Sequence, residues 1–510
     1  MGRITAGRVS LVGAGPGDPG LLTLHAARAL GEAEVLLYDA LASEATIALA
    51  APDCERIFVG KRGGEHAMAQ EAIEELMLAR ARAGKRVVRL KGGDPYVFGR
   101  GGEEAQCLKA AGIPFEVIPG ISSAIAAPAY AGIPVTHRDC NIAFTVASGH
   151  EDPTKLGSTL DWAKLADPNR TLVFLMAMGN LAEIAERLCE HGLDAARPAA
   201  VIADGTRPTQ RTVVGTLGTI AAVAAEAAIG APAIFIVGDV VALREQLRWF
   251  DNSPLFGKRL LVTRPIDRAE EFAAAALARG IEPILAPTIQ IEAPDDVHRR
   301  NDAVDAVGTY AWVVFTSRNG VEAFFRRLHE IGGDARSFGH ARVAVIGAPT
   351  ARYLASFGVI ADLVPEHFVG EELAAMLIER SRPASRMLLF RAQEGRDALP
   401  RSLARAGLNV DDVAAYRTSF PRDPTFAAKA ARADILTFTS ASTVRGYIEQ
   451  FADRRAALES TRGKTVACIG PITHRAACDD GITVDIVAET SSSESLLDAL
   501  EMHARHLSPP

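Results

Sequence analysis

Short runs of apolar residues alternate along this chain with longer stretches rich in Ala, Leu, Glu and Arg. Runs such as Val35–Tyr38 and Leu172–Met176 are too short for a helix and predict buried strands. The stretches between such runs predict helices. Strands that alternate with helices are typical of an α/β protein with mainly parallel sheets, and this is the predicted fold class.

A boundary between two parts of the chain is predicted near residue 250. Val240–Trp249 has a helical pattern, and Phe250–Gly257 then collects Asp, Asn, Ser, Pro and Gly, which favour turns. A new strand is predicted directly afterwards, at Lys258–Thr263. We therefore expect an N-terminal domain at 1–247, a linker at 248–257 and a C-terminal domain at 258–510.

The C-terminal part contains an internal repeat. Phe315-Thr316-Ser317 recurs as Phe438-Thr439-Ser440 and Val343–Gly347 as Val466–Gly470, both at an offset of 123, and Arg259–Arg264 resembles Arg386–Arg391 at an offset of 127. Two segments that match at one offset predict two similar α/β lobes. The Thr and Ser residues would lie at strand carboxyl ends, where open α/β sheets bind ligands and where hydroxyls also cap helices.

Glycine-bearing loops follow three predicted strands of the N-terminal part, at Gly13–Gly20, Gly92–Pro95 and Pro119–Ser123. An acid, Asp39, ends a fourth strand. The first loop departs from the dinucleotide-binding fingerprint, which has Gly where this chain has Asp18. Glycines let backbone groups approach a ligand closely, so the loops predict a ligand site, with tight turns as the alternative.

The N-terminal part resembles the uroporphyrinogen-III C-methyltransferase family of the tetrapyrrole methylases, from about residue 8 to 247. The resemblance rests on the glycine loop at 13–20, Gly60-Lys61-Arg62, Val87–Glu104 and Ile133–Asp139. It implies a two-lobed methylase fold and a homodimer. It also implies that S-adenosylmethionine methylates uroporphyrinogen III twice, which gives precorrin-2.

The same resemblance implies site residues. The S-adenosylmethionine site would be lined by Pro16, Gly92, Gly93, Asp94, Val97, Ser122, Ser123, Met176 and Gly205, with Met178 as an alternative to Met176. Asp39 would accept a proton. Lys61 would donate one, or else contact a substrate carboxylate or be a surface lysine. The tetrapyrrole carries eight carboxylates, and Arg pairs with carboxylates through two nitrogens. Arg100 and Arg138 are therefore candidate substrate ligands, or else ordinary surface ion pairs.

The C-terminal part resembles uroporphyrinogen-III synthase over nearly all of 258–510. The motifs are Leu261–Pro265, Phe315–Gly320, Ala415–Thr418 and Ala467–Thr473. This family closes hydroxymethylbilane to uroporphyrinogen III. In this family each α/β lobe combines separate segments of the chain, so the contiguous repeats would not coincide with the lobes. Arg264 would lie in the lobe that contains Thr439 and Thr473.

The synthase resemblance implies a catalytic Tyr416 that helps the hydroxyl leave, with packing between the lobes as the alternative role. The expected substrate ligands are Arg264, Thr316, Ser317, Arg391, Thr439, Ser440 and Thr473. Helix N-termini and hydroxyls both suit carboxylates. Catalysis would then depend largely on holding the linear substrate in a shape ready to close.

The composition argues against several other classes of protein. The net charge of −7 gives no basic surface for nucleic acid, so a polyanionic substrate needs local pockets. Ile220–Val237 is interrupted by Glu, Gly and Pro, which argues against a membrane span. Six scattered Cys residues indicate no disulfide framework or zinc site and favour buried, reduced thiols. We expect a soluble, cytoplasmic protein with no bound metal.

The two resemblances together predict a bifunctional enzyme of tetrapyrrole biosynthesis, since the product of the C-terminal reaction is the substrate of the N-terminal one. The end product would be sirohaem or cobalamin. One alternative is a methylase that acts on another tetrapyrrole or on RNA. Another is a C-terminal part that binds tetrapyrrole without catalysis.

Overall fold

The apolar runs of the N-terminal part form a five-stranded parallel sheet. The structure is a computed structural model that describes residues 7–60, 68–150, 160–365, 370–395 and 397–507. In space the strands follow the order β3-β2-β4-β1-β5, where the elements are β1 (Arg8–Gly13), β2 (Val35–Tyr38), β3 (Glu55–Phe58), β4 (Arg86–Lys91) and β5 (Phe115–Ile118). The helices of this region are α1 (Leu24–Gly31), α2 (Glu44–Ile47), α3 (Gln70–Arg82), α4 (Gly101–Ala110) and α5 (Ser123–Tyr130).

Helices cover both faces of this sheet. Val9 and Leu11 of β1 belong to one core cluster with Met77 of α3, whereas Val12 belongs to another with Leu30 of α1. Because both faces are buried, the strands need apolar residues at nearly every position rather than at alternate ones. This explains why the sequence shows continuous apolar runs here.

A second, mixed sheet follows in the order β6-β7-β10-β8-β9. Its strands are β6 (Ala143–Ser148), β7 (Arg170–Leu175), β8 (Pro198–Ala203), β9 (Arg211–Thr216) and β10 (Ala233–Val237), of which only β6 and β7 pair in parallel. Its helices are α6 (Trp162–Leu165), α7 (Leu181–Glu190), α8 (Ile220–Glu226) and α9 (Arg244–Leu247). The expectation of mainly parallel sheets is therefore wrong for this region.

The C-terminal part contains two further five-stranded sheets. One has the order β12-β11-β18-β19-β20 and the other β13-β17-β16-β14-β15. The strands are β11 (Arg259–Val262), β12 (Glu282–Leu285), β13 (Gln290–Glu292), β14 (Trp312–Phe315), β15 (Arg342–Val345), β16 (Arg386–Ala392), β17 (Asn409–Ser419), β18 (Ile435–Phe438), β19 (Thr465–Cys468) and β20 (Ile486–Val487). The helices are α10 (Ile266–Leu277), α11 (Val297–Asp305), α12 (Arg318–Glu330), α13 (Ala348–Ala355), α14 (Gly370–Arg380), α15 (Ala398–Arg405), α16 (Phe426–Arg432), α17 (Ala441–Glu449), α18 (Arg454–Thr461), α19 (Pro471–Asp479) and α20 (Ser493–Leu507).

The repeat detected in the sequence corresponds to equivalent strands of these two sheets. Both sheets contain three adjacent strands in the same order, β11-β18-β19 in one and β16-β14-β15 in the other. The three matched sequence segments lie on these strands. However, β11 lies in the sheet of the second repeat and β16 in the sheet of the first. The lobes are therefore similar, as the repeat predicts, but each is assembled from separate pieces of chain.

The described residues group into two compact units. One contains 1–260, 271–283 and 493–510, and the other contains 261–270 and 284–492. The domain bounds expected from the sequence, at 1–247 and 258–510, stay a prediction. The helix predicted at Val240–Trp249 is shorter, because a 3-10 turn at Asp239–Leu243 precedes α9.

The structure also bears on the predictions about the cysteines and about membrane spans. All six cysteines are free thiols, but only Cys54 and Cys468 are buried, and Cys478 is exposed. The prediction that the thiols are buried is therefore confirmed for Cys54 and Cys468 and wrong for Cys478, while Cys107, Cys140 and Cys189 are only partly buried. Among the described helices, none is long and apolar enough to cross a membrane.

Candidate functional site

A cavity of about 650 Å³ opens where strands of the first unit's two sheets end. The loops after β1, β2, β4 and β5 line it from the first sheet. The loops after β7 and β8, together with the start of β10, line it from the second sheet. Its volume lies in the range typical of small-molecule sites. The carboxyl ends of the parallel strands therefore meet at a ligand-sized space, as the glycine loops predict.

The glycine loops also pack against each other. A Cβ on Gly13 would lie 2.5 Å from the Cα of Gly120 and 2.6 Å from the carbonyl oxygen of Gly93. The Gly93 N–H donates a hydrogen bond of 2.8 Å to the Gly15 oxygen. The Asp94 carboxylate joins the same loops, because it accepts hydrogen bonds from the Tyr96 and Gly120 N–H groups. Part of the glycine requirement therefore comes from contacts between backbones.

Replacing Gly120 with Ala is expected to destabilise the first unit. The new Cβ would overlap the carbonyl oxygen of Gly93, and overpacking of this kind costs about 1–3 kcal/mol. The measurement is urea unfolding of the purified chain. Gly102→Ala is the control, since a Cβ there has nothing within 4 Å. Equal stability of the two variants would contradict the close approach of the loops.

Asp39 follows β2 and lines the cavity with its side chain 24% exposed. Its Oδ1 atom accepts a hydrogen bond of 3.0 Å from the Leu41 N–H. Its Oδ2 atom lies 3.8 Å from the Nη1 atom of Arg89. A carboxylate that accepts a hydrogen bond at one oxygen, has a buried guanidinium within ion-pair distance of the other and still reaches the cavity is suited to accept a proton from a bound molecule.

Beneath Asp39 lies a buried charge cluster that consists of Arg89, Lys91 and Glu104. Glu104 is fully buried, and its Oε1 atom accepts hydrogen bonds from Arg89 Nε at 3.1 Å and from Lys91 Nζ at 3.0 Å. Burial lowers the pKa of Lys91, and the neighbouring Arg89 acts in the same direction. Arg89 and Lys91 are β4 residues that also line the cavity. The cavity therefore has cations at its base, beside Asp39.

In the second unit, Tyr416 of β17 is buried, and its hydroxyl lies 3.0 Å from the Ser317 hydroxyl. Ser317 caps α12, because its side chain accepts a hydrogen bond from the Gly320 N–H. Burial raises the pKa of Tyr416, while hydrogen bonds with Ser317 and Asn319 act against the shift. The phenol therefore keeps its proton at neutral pH and could donate it to a leaving group.

Comparisons with known proteins agree with this division into two sites. Residues 8–221 match the family of tetrapyrrole (corrin/porphyrin) methylases, and residues 270–498 match the family of uroporphyrinogen-III synthase HemD. The porphyrin biosynthesis protein HemD of Ruminiclostridium josui is 38% identical over 97% of both chains. This chain belongs to both families. It is a bifunctional enzyme of tetrapyrrole biosynthesis, with a methylase half at 8–221 and a synthase half at 270–498.

Two further similarities concern the methylase half. An S-adenosyl-L-methionine-dependent uroporphyrinogen III methyltransferase of Methanosarcina barkeri is 55% identical over 47% of this chain and 94% of its own. Among solved structures, the uroporphyrin-III C-methyltransferase of Thermus thermophilus, complexed with S-adenyl homocysteine, is 44% identical. It covers 46% of this chain and 100% of its own, with a TM-score of 0.40.

All nine residues expected at the methyl-donor site line the cavity of the methylase half: Pro16, Gly92, Gly93, Asp94, Val97, Ser122, Ser123, Met176 and Gly205. Asp39 and Arg100 line it too. Met178 is also in the lining, so the structure does not separate it from Met176. Ser122 additionally caps α5, because its side chain accepts a hydrogen bond from the Ala124 N–H. That these residues bind a ligand stays a prediction.

The other expected residues of the methylase half are not all brought together. Arg138 is exposed and is absent from the residues that line the cavity. Arg100 lies at the cavity, but its guanidinium is paired with Glu103 at 2.6 Å. Lys61 lies outside the described residues. An incoming carboxylate would therefore have to compete with Glu103 for Arg100.

The synthase residues lie at strand carboxyl ends or just beyond them. Thr316 and Ser317 follow β14, and Thr439 and Ser440 follow β18 in the equivalent position of the other lobe. Ser440 caps α17. Arg264 follows β11 in the sheet that also contains β18 and β19, and the buried Thr473 lies in the first turn of α19. This confirms the arrangement that the synthase resemblance implies, in which each lobe combines separate chain segments, and excludes lobes that each consist of one contiguous repeat.

Arg391 has a different environment from the other expected synthase residues. It is buried on β16, and its guanidinium is paired with Asp412 at 2.7 Å and with Asp397 at 3.4 Å. The pairing with Asp412 raises the pKa of Arg391. Two carboxylates already hold this side chain, so a substrate carboxylate would have to compete with them, and substrate binding through Arg391 stays a prediction.

Sequence reasoning missed two features of the methylase cavity. Arg207 lines the cavity, and its Nη2 atom donates a hydrogen bond of 3.1 Å to the Leu41 oxygen, which links a loop of the second sheet to one of the first. The other feature is the buried charge cluster. Its signal was present in the sequence, because Arg89 and Lys91 are alternate residues of a strand that is otherwise apolar after Arg86, and so share one face.

Proposed function

We propose that the synthase half closes hydroxymethylbilane to uroporphyrinogen III and that the methylase half methylates this product twice, giving precorrin-2. The observation that carries the proposal is the methylase cavity, which collects nine expected methyl-donor residues and Asp39 in about 650 Å³. The synthase half supports it with a buried phenol beside a helix N-terminus. The product of ring closure is the substrate of methylation, which gives a reason for both reactions to be on one chain.

The methyl donor is S-adenosylmethionine, and the cavity fits it. Gly92 and Gly93 present backbone without side chains, while Val97, Met176 and Ala233 supply apolar surface. Ser122 and Ser123 place hydroxyls at the start of α5. A largely apolar cavity with a few converging polar groups is what a cofactor of this size requires.

The methyl-transfer step needs alignment and one proton acceptor. S-adenosylmethionine supplies a methyl group on a sulfonium, whose C–S bond breaks as a pyrrole carbon of the substrate bonds to the methyl carbon. The macrocycle then loses a proton, and the Asp39 carboxylate accepts it. The loops after β4 and β5 fix the position of the reacting carbon, which replaces a bimolecular encounter with a held geometry.

In the ring-closure step, the terminal hydroxyl of hydroxymethylbilane leaves as water. The C–O bond breaks while Tyr416 donates its phenolic proton to the departing oxygen, and a carbon of the last pyrrole ring bonds to the carbon so freed, which gives a spiro intermediate. Rearrangement of this intermediate inverts the last ring and closes the macrocycle, and the proton that the ring loses restores the phenol. Ser317 positions the phenol through its contact of 3.0 Å. Thr316 and Thr439 lie at equivalent strand ends, where hydroxyls and backbone N–H groups bind substrate carboxylates. Much of the rate comes from holding the linear chain in a closed shape.

One assay tests both parts of this proposal. The purified chain is mixed with hydroxymethylbilane and S-adenosylmethionine, and the products are followed by absorbance and mass. We expect a dimethylated product. Uroporphyrinogen I alone, which forms without an enzyme, would refute the synthase reaction. Uroporphyrinogen III without methylated product would refute the methylase reaction and leave another tetrapyrrole or RNA as its substrate.

Replacing Tyr416 with Phe is expected to slow ring closure about 100-fold, the lower end of what a positioned general acid contributes, and to leave methylation of added uroporphyrinogen III unchanged. The phenol proton is lost while the buried ring remains. The measurement is the initial rate of uroporphyrinogen III formation. Tyr310→Phe is the control, because Tyr310 is a buried tyrosine of the same sheet region whose hydroxyl bonds Asp411. Equal losses in both variants would assign Tyr416 to packing.

A further inference from the structure

The geometry around Asp39 depends on one buried side chain. The Leu41 N–H donates a hydrogen bond to Oδ1, and the Nη1 atom of Arg89 lies 3.8 Å from Oδ2, within ion-pair distance. Arg89 lies on β4 and Asp39 follows β2, and these strands pair directly. A cation on the neighbouring strand therefore attracts the carboxylate, in addition to the hydrogen bond from its own loop.

Arg89 is itself immobilised. Its Nε atom donates to Glu104 at 3.1 Å and its Nη1 atom donates to the Leu90 oxygen at 3.0 Å. Its side chain is only 5% exposed, and Glu104 is fully buried. Glu104 also receives hydrogen bonds from Lys91 and Gln70. A base that is oriented by a second group, which is fixed in turn by a third, is a recurring arrangement in catalytic sites.

We propose that Arg89 is a positioning residue for methyl transfer: anchored by Glu104, it holds the Asp39 carboxylate in the orientation that accepts the substrate proton. This inference rests on the proposed methylase reaction. Arg89 acts through Asp39 rather than on the substrate. Its loss should therefore reduce turnover and not methyl-donor binding.

The test uses two variants of the full chain. Arg89→Ala removes the guanidinium, while Arg89→Lys keeps a cation that can pair with Glu104 but lacks the second nitrogen that faces Asp39. We expect kcat for methylation to fall about 100-fold in Arg89→Ala and about tenfold in Arg89→Lys, as small misplacements of a reacting group do. The KM for S-adenosylmethionine and the Kd for S-adenosylhomocysteine should stay within about twofold, since neither ligand requires Asp39 to be oriented.

Combination with Asp39→Asn separates positioning from general structural support. If Arg89 acts only through Asp39, the double variant Arg89→Lys, Asp39→Asn has the kcat of Asp39→Asn alone. Losses that multiply would overturn the inference. So would an unchanged kcat in Arg89→Lys. Should Arg89→Ala not fold, Arg89→Lys and the double variant still decide the matter.

The matched control is Arg86→Lys. Arg86 lies on the same strand and is paired with Glu34 at 3.4 Å, but its side chain is 52% exposed and it is absent from the cavity lining. Its kcat should equal that of the unaltered chain, and an equal fall would overturn the inference. If the unaltered chain forms no methylated product, the proposed methylase reaction fails and the inference fails with it. An active unaltered chain with multiplying losses refutes the inference alone.

Discussion

Replacing Asp39 with Asn is expected to slow methyl transfer by about 10²- to 10⁴-fold and to leave ring closure at its original rate. Asn keeps the shape of the side chain and an oxygen that can accept the hydrogen bond from Leu41, so the loop after β2 stays in place. It removes the negative charge that accepts the substrate proton. Loss of a positioned general base costs about 10²- to 10⁴-fold in rate.

The measurement separates the two halves within one sample. Given hydroxymethylbilane and S-adenosylmethionine, Asp39→Asn should accumulate unmethylated uroporphyrinogen III. Asp53→Asn is the control, because Asp53 is an exposed acid just before β3 that does not line the cavity. Methylation by Asp39→Asn at the rate of the unaltered chain would remove Asp39 from the mechanism.

The methylase cavity was largely predictable from sequence because parallel strands end at one edge of a sheet. The glycine loops and Asp39 are far apart in sequence but follow strands β1, β2, β4 and β5, so their convergence required only the strand pattern. The residues from the second sheet, Met176 and Gly205, came from the family resemblance. The sequence pattern around Met176 and Gly205 predicts that each follows a strand, but it does not predict that these strand ends lie opposite the loops of the first sheet.

The repeat in the synthase half shows a different limit. Equal offsets predicted two similar lobes, and the equivalent strand triplets confirm them. The exchange of β11 and β16 between lobes was invisible in the pattern, because an apolar strand packs equally well in either sheet. The arrangement depends on which strands pair. Only the family resemblance anticipated it.

The buried charge cluster was missed because it depends on tertiary packing. Arg89 and Lys91 share a face of β4, but nothing in that strand shows that Glu104 of α4 lies against them. Glu104 adjoins Glu103, and the two are indistinguishable by residue type. Glu103 is exposed and pairs with Arg100, whereas Glu104 is fully buried. Their different roles follow from the face of α4 on which each lies.

Replacing Glu104 with Ala is therefore expected to destabilise the methylase half by about 3–5 kcal/mol, because it leaves the buried cations Arg89 and Lys91 without their carboxylate. The same change at Glu103 should cost no more than about 0.5 kcal/mol, as for an exposed ion pair. Urea unfolding of both variants measures the difference. Equal stabilities would show that Glu104 does not hold the cluster, and Arg89 would then lack the anchor that orients Asp39.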